Sequence, residues 1–284
     1  MNKRNFSQAL NFIIIKISVF VVVAFLFFII FYIFRNGISS ISIDFITKPP
    51  TDSMTRGGIF PAIVGTFCLS IGALIVAVPI GIISAIYLSE YTKGGLFLRI
   101  LRLGIRNLAG IPSIVFGLFG LALFVIKFGF GSSLLSGSLT LGFLILPTII
   151  AATEEALRGI PQDFREASLA LGATKVQTIF KVVLPAAMSN IVTGVLLSVG
   201  RVAGETAPIM FTAAAFYKPD LPTSVFDEVM ALPYHIYTLA TEGTHFEQTL
   251  PIQYGTCLVL LALVVLMDIV GIWIRLKARK SKKW

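Results

Sequence analysis

Six long apolar stretches dominate the pattern of hydrophobic and polar positions along this chain of 284 residues. Each is close to, or longer than, the roughly 20 residues that an α-helix needs to cross the hydrocarbon core of a bilayer. The pattern therefore predicts six transmembrane helices and an all-α integral membrane protein. The predicted spans are 17–34, 60–88, 108–127, 134–152, 186–214 and 254–274.

The first stretch predicts a retained anchor helix and not a cleaved secretion signal. Its apolar region is longer than a typical signal core, no small-x-small cleavage pattern follows it, and Arg35 and Asn36 come next. We therefore expect three parts. They are an anchor helix with the first external loop (1–58), a core of five spans (59–275) and a basic cytoplasmic tail (276–284).

Composition supports the membrane class. Hydrophobic residues make up 56% of the chain, charged residues 13%, and the mean hydropathy is +0.90. A soluble domain has a charged fraction of roughly 25%. A chain so poor in charge buries its apolar surface in lipid.

The net charge of +9 could indicate a nucleic-acid partner, but its distribution indicates membrane topology instead. Of the 23 Lys and Arg residues, 17 fall in segments on one side of the predicted membrane and five on the other. Short loops rich in Lys and Arg stay in the cytoplasm. The distribution therefore predicts that both termini and the loop at 153–185 are cytoplasmic.

The cysteines and histidines carry no metal or redox pattern. Cys68 and Cys257 fall inside apolar runs, which favours small core residues. His235 and His245 lie in the predicted outer loop at 215–253 without ligand spacing. We expect this loop to be solvated, or to lie on a partner, and we expect no cofactor.

The last cytoplasmic loop contains an ordered element. Pro161 suits the first turn of a helix, and Asp163 is favourable near its positive end. Gly172 is a good helix stop, and Thr174 with Gln177 matches a capping box, so a second helix should follow. The pattern predicts helix, glycine turn, helix, which fits either an orderly connector or a docking knob for a cytoplasmic partner.

The sequence lacks the motifs for nucleotide binding and for two common classes of hydrolase. There is no G-x-x-x-x-G-K-[ST] pattern and no Gly-Lys pair, so any ATP must be bound by a separate chain. There is also no H-E-x-x-H or G-x-S-x-G element, which disfavours an intramembrane enzyme.

Two charged residues interrupt the fifth predicted span. Arg201 and Glu205 are four residues apart and so share one helix face, and Pro208 should kink the span. A charge within the membrane is costly and usually functional. The pair could be a structural ion pair, or Arg201 could bind a tetrahedral oxyanion through its fork of donors.

A polar cluster marks the start of the third predicted span. Polar helix starts can receive anions, but packing and capping fit this cluster at least as well. Its members are Asn107, Gly110, Pro112 and Ser113.

The cytoplasmic element resembles the E-A-A-x-x-x-G…L-P signature of bacterial ABC importer permeases, with Ser168 in the third position in place of alanine. In that family this loop is the coupling helix, which fits a groove on a separate ATPase subunit. The residues that carry the resemblance are Glu166, Ala167, Gly172, Leu184 and Pro185.

Two further segments, "LAGIPSIVFGLFG" and "GRVAGETAPIMFTAA", resemble phosphate-specific permeases of the PstA type. The resemblance covers 57–275 and implies the type I ABC importer permease fold in the cell inner membrane. It also implies three kinds of partner: a paralogous PstC-type permease subunit, two copies of a PstB-type ATPase and an external PstS-type phosphate-binding protein. Arg201 and Glu205 would then belong to the phosphate pathway of a non-enzymatic permease subunit.

Other readings stay open at this point. The same fold could carry sulfate, molybdate or an organic solute, because Arg201 favours an anion without choosing among anions. An ion-coupled carrier using Glu205 and Asp268 as proton sites would leave the cytoplasmic element unexplained. For Asp268, helix-end capping or a contact with the basic tail fits better than proton transport.

Overall fold

A computed structural model describes residues 3–92, 94–242 and 246–280, and leaves the side chains of 1–10, 53, 93, 243–248 and 278–284 outside the description. Lys93, His245 and residues 281–284 of the basic tail therefore lie outside the described residues. The described chain is mostly helical, with irregular loops and one antiparallel pair of two-residue strands, β1 (Pro50–Thr51) and β2 (Arg56–Gly57).

Twelve α-helices are described in this part of the chain, and some continue into π-helical turns. The N-terminal set is α1 (Lys3–Gly37), α2 (Ile43–Thr47), α3 (Phe60–Ile86) with a π-helical end at Tyr87–Tyr91, α4 (Leu96–Ala109), α5 (Ser113–Gly120) with a π-helical end at Leu121–Lys127, and α6 (Leu134–Arg158). The C-terminal set is α7 (Gln162–Ala170), α8 (Lys175–Thr178), a π-helical segment at Ile179–Val183, α9 (Leu184–Gly204), α10 (Ala207–Thr212), α11 (Leu232–Thr241) and α12 (Phe246–Lys280).

Five described helical segments are long and apolar enough to cross a membrane: Asn11–Ser40, Phe60–Tyr91, Leu134–Arg158, Lys175–Gly204 and Thr249–Lys277. A sixth span is obtained if α4 and α5 count as one, but they meet at 100°. The predicted third span therefore begins too early. Pro112 has no N–H to continue a helix and keeps Ile111 out of the α region, so the chain turns before α5.

The core of the bundle is a close packing of α3 against α6. Leu69, Leu141 and Ile145 are almost fully buried there. Gly72 allows the approach, because a Cβ at this position would clash with the side chain of Ser138. Small residues at helix interfaces let backbones come together in lipid.

α1 is packed differently from the other spans. None of the residues in its apolar 18-residue stretch is buried, and its main helix partner among the described residues is α12. The contact includes the rings of Tyr32 and Tyr254, with centroids 5.8 Å apart and an edge-on geometry. Most of the α1 surface is therefore left for lipid or for another chain.

The prediction of a solvated loop at 215–253 is wrong for its central part. Residues 229–232 are buried, and the amide of Leu232 donates to the Oγ1 of Thr66 at 2.8 Å. Gly65 makes room for this segment, because a Cβ would fall on the carbonyl oxygen of Met230. His235 on α11 is 2% exposed, and burial lowers the pKa of its imidazole to about 4. Residues 220–221 and 223–226 are exposed as expected.

Candidate functional site

The cytoplasmic element has the predicted helix–glycine–helix form. α7 begins after Pro161 and ends where the amide of Gly172 donates to the carbonyl of Leu169 at 2.9 Å. Gly172 has φ +84°, in the left-handed region that favours glycine. The capping box is also confirmed, because the amide of Gln177 donates to Thr174 Oγ1 and the amide of Thr174 donates to Gln177 Oε1.

The second helix is not a separate cytoplasmic helix, and this corrects the prediction. From Lys175 to Gly204 the chain is one helical rod of 30 residues, about 45 Å long at ~1.5 Å per residue. The predicted start of the fifth span at 186 is therefore too late, and Pro185 lies inside the rod. The π-helical segment Ile179–Val183 ends two residues before Pro185 and shifts the backbone pairing, which accommodates a residue without an N–H.

Apolar side chains are exposed on this element. Leu171 is 90% exposed, and four other large apolar side chains of the same element are also exposed: Phe164, Leu169, Val176 and Phe180. Several exposed apolar side chains on one element are typical of a site that binds another protein. We call these five residues the apolar tip.

The signature residues fall into two groups. Glu166, Ala167 and Gly172 are exposed beside the apolar tip. Leu184 and Pro185 are partly buried in the rod, and Leu184 packs against a buried cluster of α3, α6 and α9. The structure thus brings the first three together and places the last two at the base of the element.

A buried ion pair fixes α7 to the end of α3. Arg165 donates to both carboxylate oxygens of Glu90, from Nη2 at 2.7 Å and from Nε at 3.2 Å. It also donates to the carbonyls of Ile160 and Leu157 at 2.8 and 2.9 Å. The two side chains are 13% and 8% exposed. Sequence reasoning missed this pair, since its members are 75 residues apart and no local pattern joins them.

Ser168 has a structural role that the signature does not show. Its hydroxyl lies 2.9 Å from that of Thr178, which links α7 to the end of α8. Lys175 adds a second link, with its Nζ 4.8 Å from the ring centroid of Tyr91. The element is therefore held both within itself and against α3.

Arg201 and Glu205 form an ion pair at the end of α9, with Arg201 Nε 3.4 Å from Glu205 Oε1. The helix ends at Gly204, Glu205 has an extended backbone, and α10 starts with Pro208 in its first turn. The predicted kink at Pro208 is thus a full break three residues earlier. Arg201 lies in the last turn of α9, where the helix dipole favours a cation.

The two members of this pair face different surroundings. Glu205 is 15% exposed and lines a space of about 10 Å³ together with Thr66 and Ser70. This is near the roughly 10–15 Å³ that a single water needs, and it is too small for a tetrahedral oxyanion. Arg201 is 36% exposed, so it is the member that a solute outside this chain can reach.

The remaining candidates are placed as follows. Asp268 is not at a helix end, because α12 continues to Lys280, and its Oδ1 is buried without a hydrogen-bond partner among the described residues.

α5 starts without a side-chain cap, so the capping role considered for Asn107 and Ser113 is not seen. Cys68 and Cys257 are free and only partly buried. The described residues hold no cluster of His, Cys, Asp or Glu suited to a metal.

Comparison with solved structures shows the fold. The chain superposes on a bacterial alginate ABC transporter with a TM-score of 0.63 and 16% identity, covering 97% of this chain and 94% of that one. It superposes on the MetNI methionine ABC transporter in an inward-facing conformation with a TM-score of 0.59 and 20% identity, covering 78% and 94%. The predicted type I ABC importer permease fold is thereby confirmed.

Comparison with curated proteins gives closer relatives. The chain is 39% identical to "Phosphate transport system permease protein PstA 1" of Mycobacterium tuberculosis over 230 residues, which cover 80% of this chain and 72% of that protein. It is 35% identical to the Haemophilus influenzae protein PstA, covering 79% and 78%. It is 32% identical to "Probable ABC transporter permease protein YqgI" of Bacillus subtilis, covering 86% of each.

The family match agrees with these relatives and extends through most of the helical core. It starts inside α3 and runs through the cytoplasmic element and the Arg201–Glu205 pair to the last described residue of α12. Since residues 77–280 match its pattern, the chain belongs to the family of binding-protein-dependent transport system inner membrane components.

Proposed function

We propose that this chain is a transmembrane permease subunit of an ATP-driven importer of inorganic phosphate. The observation that carries the proposal is the 39% identity, over 80% of the chain, to a protein named as a phosphate transport system permease. The half-exposed guanidinium of Arg201 supports it, because a planar fork of N–H donors suits a tetrahedral oxyanion.

The translocation path would lie on the surface of this chain and not inside it. The space beside Glu205 is too small for phosphate, whereas the side chain of Arg201 is 36% exposed and can be reached from outside this chain. This arrangement fits a heterodimer with a paralogous PstC-type subunit. Glu205 would hold Arg201 in place when no substrate is bound, or would keep phosphate binding from becoming too tight.

The cytoplasmic element would dock a separate ATPase. The apolar tip supplies a surface to bury, and Glu166, Ala167 and Gly172 lie beside it. Leu184 and Pro185 would transmit its movement into the rod, which ends at Arg201 and Glu205. We propose two PstB-type ATPase subunits, an external PstS-type binding protein and cytoplasmic termini in the inner membrane, as the basic loops favour.

Uptake of labelled phosphate at low external phosphate tests the cargo. Cells that lack this chain receive the wild type, Arg201→Ala or Arg201→Lys, with equal membrane levels checked for each. We expect rescue by the wild type, loss of uptake in Arg201→Ala, and partial uptake in Arg201→Lys because lysine lacks the fork. Rescue by Arg201→Ala would remove Arg201 from the path. Failure of the wild type with every partner present would indicate another oxyanion, such as sulfate or molybdate.

Substitutions of Gly172 test the docking role. Valine is β-branched and strained at φ +84°, whereas asparagine tolerates this region. Gly172→Val should therefore abolish transport and ATPase stimulation while the protein still inserts, and Gly172→Asn should retain both. Normal transport in Gly172→Val would count against docking through this turn.

A further inference from the structure

α4 leaves the direction of the spans and lies along the end of the bundle. It meets α5 at 100° and has 14 residues, or about 21 Å at ~1.5 Å per residue. Leu98 anchors it by packing with Ala85, Leu88 and Ile150. Because α4 follows the end of α3 and contacts α6, it lies at the same end of the bundle as α7.

One side of α4 is apolar and exposed. Phe97 is 73% exposed, and Leu96, Ile100 and Leu103 share the same side of the helix. A helix that is apolar on one face and charged on another lies in the plane of a membrane interface when no protein covers it.

The edge of α4 beside this apolar side is basic, and part of it is unpaired. Arg102 donates to Glu154 at 2.8 Å and to the carbonyl of Leu88 at 3.1 Å, so its charge is used within the bundle. Arg99 and Arg106, two turns apart on the same edge, make no side-chain hydrogen bond or ion pair within the described residues. These two guanidiniums are therefore available to an external anion.

A groove of about 410 Å³ runs along this edge. No acidic residue lines it, and three arginines do, together with the apolar side chains of Leu98 and Leu103. The neighbouring groove shares Arg102 and Arg106 with this one but also contains Glu154 and Glu155, so it is less suited to an anion. Positive charge and apolar surface thus meet in one groove, which fits a molecule with a phosphate and an acyl chain.

We propose that α4 is an interfacial helix that binds an anionic phospholipid. Arg99 and Arg106 hold the phosphate of the headgroup, and the exposed apolar face contacts the acyl chains. The apolar face favours lipid over free phosphate, which could use the arginines alone. Each basic residue near an anionic surface is worth roughly a five-fold preference, so two should give a strong selection for anionic over zwitterionic lipid.

Quenching by brominated lipid tests the proposal. In the full chain, Trp273 and Trp284 are replaced by phenylalanine, and Phe97→Trp provides a single reporter. The protein is reconstituted in phosphatidylcholine vesicles with a minor fraction of phosphatidylglycerol, and one lipid or the other carries the brominated chains. We expect brominated phosphatidylglycerol to quench the reporter more strongly per molecule.

Substitutions of Arg99 and Arg106 then test whether these two arginines cause the preference for phosphatidylglycerol. The double substitution Arg99→Gln with Arg106→Gln should remove most of the preference for phosphatidylglycerol, because each arginine contributes roughly a five-fold preference. The matched control, Arg35→Gln with Arg56→Gln, removes two charges at the other end of the bundle and should change nothing. A preference that survives Arg99→Gln with Arg106→Gln overturns the proposal, as does equal quenching by both lipids before that change.

A second reporter tests whether α4 stays folded in the variants, and a measurement in the assembled complex tests whether a protein covers α4 instead of lipid. Leu103→Trp is a second reporter on the same face and should give the same preference if α4 is folded in both variants. If neither lipid quenches either reporter, α4 is outside the membrane interface and the proposal is wrong. If quenching occurs in the isolated chain but is lost in the assembled transport complex, a protein subunit covers this face and the lipid assignment fails. Added free phosphate should not reduce quenching.

Discussion

The ion pair between Arg165 and Glu90 should control how firmly α7 is docked on α3. Glu90→Gln keeps the size of the side chain and one acceptor oxygen but removes the charge that faces the buried guanidinium. Breaking a buried pair by removing one charge costs about 3–5 kcal/mol. Arg165 keeps its two carbonyl acceptors, so we expect a cost near the lower end, about 3 kcal/mol.

Most of that cost should appear locally. None of the residues of α7 is buried, and apart from the contacts of Arg165 the link described for this helix is the hydroxyl contact of Ser168 with Thr178. A nine-residue helix released from its contacts is marginal in water and would open. A loss of about 3 kcal/mol corresponds to an open population that rises roughly 100-fold.

Hydrogen–deuterium exchange of the full-length protein measures this opening. Amides of α7 should exchange roughly 100-fold faster in Glu90→Gln, whereas those of α6 should be unchanged. Glu155→Gln is the matched control, because Glu155 is exposed and has no ion pair within the described residues. Unchanged exchange in α7 would refute the reasoning. Equal acceleration across α6 would show that the pair stabilises the whole bundle and not the docking of one helix.

Two other predictions concern stability. Gly65→Ala should destabilise the protein by about 3 kcal/mol or more, because the new Cβ meets the carbonyl of Met230, while Gly104→Ala, in open space, should be neutral or slightly stabilising in a thermal unfolding assay. His235 has a folded pKa of about 4, below its usual 6.5, so the unfolded chain binds the proton first and stability should fall as pH drops from about 6.5 towards 4. In the wild type the midpoint temperature of unfolding should fall as the pH drops over this range, and in His235→Leu this pH dependence should disappear. An unchanged pH dependence in His235→Leu would mean that another group titrates.

Local sequence signals are sufficient to predict the turn and the capping box of the cytoplasmic element. The turn at Gly172 and the capping box at Thr174 depend on residues within four positions, and the structure has both. The start of the third span was wrong because α4 has an apolar face of its own, so a hydropathy window merges it with α5. Gly110 and Pro112 carry the signal for the break, whereas the polar cluster that contains them predicts a helix start.

Long-range contacts were not accessible from the sequence. The buried segment at 229–232 is apolar, but only its fit against Gly65 and Thr66 explains why it leaves the solvent. The pairing of Glu90 with Arg165 depends on the ends of α3 and α7 meeting in space. The break at Glu205 is similar, since a polar residue in an apolar run indicates an interruption without indicating whether the helix bends or ends.

The sparse packing of α1 has a consequence for how the protein is made. Its main helix partner, α12, begins at residue 246 and therefore leaves the ribosome more than 200 residues later. During this interval α1 must persist in the bilayer as a span without its native neighbour. Its apolar surface on every side allows this, because lipid solvates it as well as protein does. The first helix can thus set the orientation of the growing chain early and join the bundle as one of the last steps of folding.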